Sequence, residues 1–64
     1  MARTFVYEYE LRRDDSIVAT GRFATERWIE EGDAVDVDRS TRAHVERRLP
    51  ASGVDGRLVL RTTD

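Results

Sequence analysis

Phe5-Val6-Tyr7-Glu8-Tyr9-Glu10-Leu11-Arg12-Arg13-Asp14-Asp15-Ser16-Ile17-Val18-Ala19-Thr20-Gly21-Arg22-Phe23 is the stretch on which the fold of this chain turns. Phe5, Tyr7, Tyr9 and Leu11 take every second position, with Val6, Glu8, Glu10 and Arg12 between them. Successive side chains of a strand point to opposite faces, so this alternation makes one apolar face and one charged face. Asp14-Asp15-Ser16 breaks the pattern with short polar side chains that bond nearby backbone, the chemistry of a turn. Ile17, Ala19, Gly21 and Phe23 then resume it.

The side chains also argue for a register. A three-residue loop at Asp14 to Ser16 pairs Arg13 with Ile17, Leu11 with Ala19, Tyr9 with Gly21 and Tyr7 with Phe23. All apolar positions then share one face, and Glu8 meets Arg22 on the other. A two-residue loop would set Arg22 beside Tyr7 on the aromatic face, so the first register is expected. It predicts a Tyr7–Phe23 ring contact. It also predicts that Tyr9 lies over the bare backbone of Gly21, where a strand glycine leaves room for a ring.

Beyond the hairpin, Glu30-Glu31-Gly32-Asp33 reads as a turn, after which Val35 and Val37 alternate again. Residues 39–49 admit two readings. As a strand, Thr41, Ala43 and Val45 face inward and Arg42, His44, Glu46 and Arg48 outward, with Arg47 left pointing in. As a helix, Ser40 caps the start, Val45 and Leu49 lie one turn apart, and Pro50 ends it. The five-position alternation favours the strand. Pro50 to Gly56 is loop-like, and Arg57-Leu58-Val59-Leu60-Arg61-Thr62 is a strand whose apolar triplet implies cover on both faces. The expected fold is therefore all-β: a small five-stranded antiparallel barrel of the SH3-like kind, built on the N-terminal hairpin. An antiparallel sheet carrying one helix over 39–49 is the alternative.

With 64 residues, the chain is expected to form one small β domain over 1–64. Eleven basic against thirteen acidic residues give a formal charge of -2, without the basic excess that duplex binding ordinarily needs. All eleven basic residues are arginine, and there is no Lys, Asn, Gln or Cys. That composition fits a coding bias or a high-salt source, and it excludes disulfides, thiolate catalysis and iron–sulfur clusters. The opening residues carry charge too early for a signal peptide, and even the longest uncharged runs, such as Ser16 to Gly21, are far short of a membrane helix. A cytoplasmic protein without a membrane partner is expected.

No catalytic set assembles, so the chain is not expected to be an enzyme. His44 is the only histidine and has no cysteine to pair with, while none of the serines at 16, 40 and 52 lies in a nucleophile elbow. The acidic residues Glu30, Glu31, Asp33, Asp36 and Asp38 fail the calcium-loop pattern, since Thr41 and Arg47 stand where glycine and a bidentate glutamate are needed. The four glycines are too scattered for a phosphate loop. No metal or cofactor is expected.

Trp28 stands out. Beside Ile29, only one of the two can turn inward, which leaves the indole partly exposed, as at protein-interface hot spots. The expected function is a non-catalytic interaction module that binds a protein partner, or its own copy, through a patch drawn from Trp28, Arg27, Arg22, Arg47 and Arg48. Single-stranded RNA or DNA binding through arginines and aromatics is the alternative, and nucleic acid is the less favoured partner because those rings are needed for the core.

Overall fold

The computed structural model describes residues 3–62. Five strands follow one another: β1 (Phe5–Arg13), β2 (Ser16–Thr25), β3 (Ala34–Asp36), β4 (Arg42–Leu49) and β5 (Gly56–Thr62). No helix occurs among the described residues, so none is long and apolar enough to cross a membrane. The segment left open between helix and strand is β4. Its alternation prevails over helix-favouring residues because Ala43 and Val45 complete a core that one thin helical stripe would leave uncovered.

The strands form one sheet in the order β2-β1-β5-β4-β3, curled into a half-barrel. Three of the four pairings are antiparallel, whereas β1 and β5 run parallel, with Tyr9 beside Leu58 and Leu11 beside Leu60. The sheet is therefore mixed rather than antiparallel throughout. The reason is topological: the N-terminal hairpin and the β3-β4-β5 meander meet along strands that run the same way. The fold remains all-β, five-stranded, founded on the N-terminal hairpin and consistent with a small barrel.

The hairpin holds the expected register over most of its length: Tyr7 pairs with Phe23, Tyr9 with Gly21 and Leu11 with Ala19. The Tyr7 and Phe23 ring centroids are 5.9 Å apart. A Cβ built on Gly21 would come within 2.9 Å of the Tyr9 hydroxyl, so Tyr9 does lie over that glycine. The turn itself differs. It has two residues, Asp14 and Asp15, with Asp14 in the left-handed region at φ 54°, a conformation that Asp adopts more readily than most. Arg13 thus pairs with Ser16 and Arg12 with Ile17, and a bulge at Val18 restores the expected pairing beyond. Ile17 is consequently 54% exposed instead of joining the core.

The concave side holds the core of Tyr7, Leu11, Ile29, Val35, Ala43, Val45, Leu58 and Leu60, with Phe5, Tyr9, Ala19, Phe23 and Val37 packed against it. Val59 is buried on the opposite face, as the apolar triplet implied. That convex face carries opposed charges. The Glu10 carboxylate, mostly buried, lies 2.8 Å from Arg12 and 3.3 Å from Arg57. Glu8 meets Arg22 at 3.2 Å, and Arg61 binds Glu46 while donating to the Asp14 carbonyl.

Candidate functional site

The site grows from the way the chain leaves β2. Ile29 is drawn inward to near-complete burial, and its N–H donates to the buried Tyr7 hydroxyl at 3.0 Å. In extended backbone the preceding side chain must point the other way. Trp28 therefore stays 45% exposed. Its ring meets Phe5 edge-on at 5.4 Å and Tyr7 at 6.3 Å, and its Nε1–H donates to Glu30 at 3.2 Å.

Arg48 backs the indole. Its guanidinium carbon lies 4.0 Å from the Trp28 ring centroid and 5.7 Å from that of Tyr7. Nε donates to the Ile29 carbonyl at 3.0 Å, and Nη2 to the Asp55 carbonyl at 2.9 Å. A bulge at Glu46 turns it there. That extra residue shifts the alternation of β4, so Arg48 comes level with core Leu58, while Arg47 lies level with Val59 of the convex face. Both expectations for this pair are reversed: Arg47 points out and Arg48 points in. Gly56 leaves the room, since a Cβ there would sit 3.3 Å from the guanidinium.

Around this pair, Arg3 covers the Phe5 ring at 4.8 Å and pairs with Asp55 at 3.4 Å. Asp55 also accepts the Val6 N–H at 2.8 Å, and Glu31 accepts the Arg48 N–H at 3.1 Å. The result is a contiguous run of guanidinium and aromatic groups in the order Arg3, Phe5, Trp28, Arg48, Tyr7.

Of the five residues expected to share a patch, Trp28 and Arg48 come together. Arg27 is next in sequence, but its guanidinium is committed to the Ala34 carbonyl of β3 at 2.8 Å. Arg22 is on the convex face with Glu8, and Arg47 is exposed on that face of β4. Arg3, Phe5 and Asp55 belong to the site and were missed. The alternation of β1 marks Phe5 only as a core residue, and no local signal joins a loop aspartate to the chain's third residue.

The other chemistry-bearing residues have structural partners. Asp33 accepts the Glu30 N–H at 2.9 Å, and Asp36 is 3.8 Å from Arg42. Asp38 accepts the Ser40 N–H at 2.8 Å. That bond, helped by the Thr41 hydroxyl, holds the Asp38 carboxyl below its ordinary range. His44 is half-buried on β4, opposite Ala34 and Arg61. Among the described residues, no three acid, imidazole or thiol groups converge as metal ligands would. Between the edges of β2 and β3 lies a cleft of about 260 Å³, floored by Tyr9, Phe23, Val35, Val37 and Leu60. No protein-family model, curated protein or solved structure matches this chain.

Proposed function

We propose that this chain is a non-catalytic interaction module that docks a protein partner on its Trp28 face. The observation that carries the reading is an indole left 45% exposed yet held in place by Arg48 behind it, Phe5 at its edge and Glu30 on its nitrogen. An aromatic side chain already fixed in one rotamer loses little entropy on docking, so more of its apolar contact becomes affinity. A fitting partner offers an apolar pocket for the ring edge, rimmed by carboxylates for Arg3. The cysteine-free composition is the ground for placing the module in the cytoplasm.

Single-strand nucleic-acid binding draws less support. Arg3 and Arg48 already cover the Phe5 and Trp28 rings, Tyr7 is buried and Tyr9 is spread over Gly21. Arginines 12, 22, 57 and 61 of the convex face are each paired with a carboxylate. The test is affinity capture with the wild type, Trp28→Ala and Arg47→Ala, each checked for fold by circular dichroism. A partner retained by the wild type and Arg47→Ala but lost by Trp28→Ala supports the reading. Capture indifferent to Trp28, or salt-dependent retention of single-stranded oligonucleotides instead, would overturn it.

A further inference from the structure

The two edges of this sheet are treated unequally. β3 is three residues long, and its Ala34 carbonyl is capped by Arg27. β2 is ten residues long and, among the described residues, none of its backbone groups from Ser16 to Ala24 bonds beyond the hairpin. Long edges are ordinarily blunted by lysine, proline or a covering loop, because a free ladder invites another strand. β2 has no lysine and no proline. One bulge, at Val18, is its sole interruption. Ile17 and Val18, 54% and 52% exposed, flank this edge and are two of the three large exposed apolar side chains among the described residues.

We infer that β2 is a pairing edge whose occupant is β2 of a second copy of this chain, joined antiparallel about a two-fold axis. Charge selects the occupant. Ser16 to Gly21 is one of the two longest uncharged runs of a chain in which 38% of residues are charged, and the only one of them that lies on a sheet edge, so two copies bring no like charges together along it. An axis near Thr20 or Gly21 sets the single Arg22 of each copy opposite a neutral residue of the other, and Glu8 already neutralises that arginine. An antiparallel ladder is self-complementary under a two-fold axis, each outward-facing N–H of one copy meeting a C=O of the other. The product is one ten-stranded sheet with Ile17 and Val18 drawn towards the partner. A foreign strand gains no such guarantee of matching neutrality. This site is separate from the Trp28 face, so either can fail alone.

The test is sedimentation of the full chain over a wide concentration range, with amide exchange of β2 followed by NMR. The expected mass rises from 7.4 kDa towards twice that value, and the outward-facing amides of the Ser16 to Gly21 run, those not bonded to β1, exchange at least about tenfold more slowly at the high end. Thr20→Lys keeps the fold, because position 20 is exposed, and Glu10 opposite it is already engaged by Arg12 and Arg57 and leaves the added charge unneutralised. It should abolish both effects by placing two ammonium groups across the ladder. Trp28→Ala should leave both unchanged. A chain monomeric at every concentration overturns the inference. So does a dimer that survives Thr20→Lys and dissolves with Trp28→Ala, which would assign self-association to the indole face.

Discussion

Arg48 shows how one side chain can be structural and part of an interaction face at once. A half-buried guanidinium is costly unless its N–H groups find acceptors. Here two carbonyls take them, and two aromatic rings cover the plane. Charged hydrogen bonds of this kind contribute about 1.5–3 kcal/mol and a ring contact about 0.5–1. Arg48→Ala should therefore lose about 2–3 kcal/mol in urea unfolding. Arg48→Lys should recover less than half of that, because an ammonium cannot reach both carbonyls while lying flat on the indole. A loss under about 0.5 kcal/mol would show that the contacts are only those of a solvated surface pair. Gly21 offers a test in which two effects have opposite sign. Strand propensity alone makes Gly21→Val stabilising. The Tyr9 ring, 2.9–3.0 Å from the new Cβ, must be displaced, and overpacking of this kind costs about 1–3 kcal/mol. Displacement should win, giving a net loss in denaturant unfolding; a more stable variant would show that the ring moves aside freely. The covering of Gly21 was legible because two aligned strands suffice to imply it. The placing of Arg48 was not, since strict alternation aims Arg47 inward and nothing local marks Glu46 as an extra residue.

Two bulges give the elements the geometry that the sequence pattern does not display. At Val18 the bulge reconciles a two-residue turn with the register that puts Tyr7 on Phe23. The pairing could be read from side-chain chemistry, because burying Arg22 among the rings is costly. The turn could not, because an Asp at φ 54° closes the hairpin one residue earlier than the polar cluster suggests. At Glu46 the bulge exchanges the roles of two adjacent arginines. Deleting Glu46 leaves Val45, Arg47 and Arg48 in regular alternation opposite Leu60, Val59 and Leu58, so Arg47 still points out and Arg48 still reaches Trp28, now without a bulge. The shortened chain should keep a cooperative unfolding transition and the Trp28 fluorescence maximum of the wild type, losing only the Glu46–Arg61 pair. A deletion variant that does not unfold cooperatively, or whose Trp28 fluorescence maximum shifts, would show that the bulge itself is needed to hold Arg48 against the indole. The same strand carries an acid sensitivity. Glu46 is held below the ordinary carboxyl range, first by its hydrogen bond from Arg61 and then by that charge. Asp38, in the β3–β4 connection, is held down by the Ser40 N–H and the Thr41 hydroxyl. A carboxyl with a lowered folded-state pKa contributes stability that is present above its unfolded pKa and lost as pH falls through the folded one. Unfolding free energy should thus decline as pH drops below about 4. Asp38→Asn and Glu46→Gln should each flatten that decline, read from urea titrations at stepped pH. A slope identical to the wild type in both variants would place the acid sensitivity elsewhere.

At the scale of the whole molecule, the sheet curls without closing. Its accessible surface is 4575 Å², against roughly 4,200 Å² for an average compact chain of this mass. The excess fits a seam at which β2 and β3 face each other unpaired across a cleft. Stability in such a shape has to grade from the middle of the sheet outward. β5 is bonded to strands on both sides and is covered on both faces, by Leu58 and Leu60 within and Val59 without. β3 has three residues, one neighbour and Val35 as its only buried side chain. Opening β3 exposes little apolar surface, whereas exposing β5 breaks the core shared by both halves. Amide exchange of the dilute chain, below any self-association, should be slowest at Leu58 to Leu60, where it occurs only through global unfolding. Ala34 to Asp36 should exchange on the order of tenfold faster or more, through a local opening that leaves β1 and β5 paired. Raising urea should then accelerate exchange at β5 steeply and at β3 weakly, because the first opening exposes far more surface than the second. Uniform exchange across all five strands, with one common urea dependence, would mean that the edges are bound as firmly as the centre and that the half-barrel opens only as a single unit.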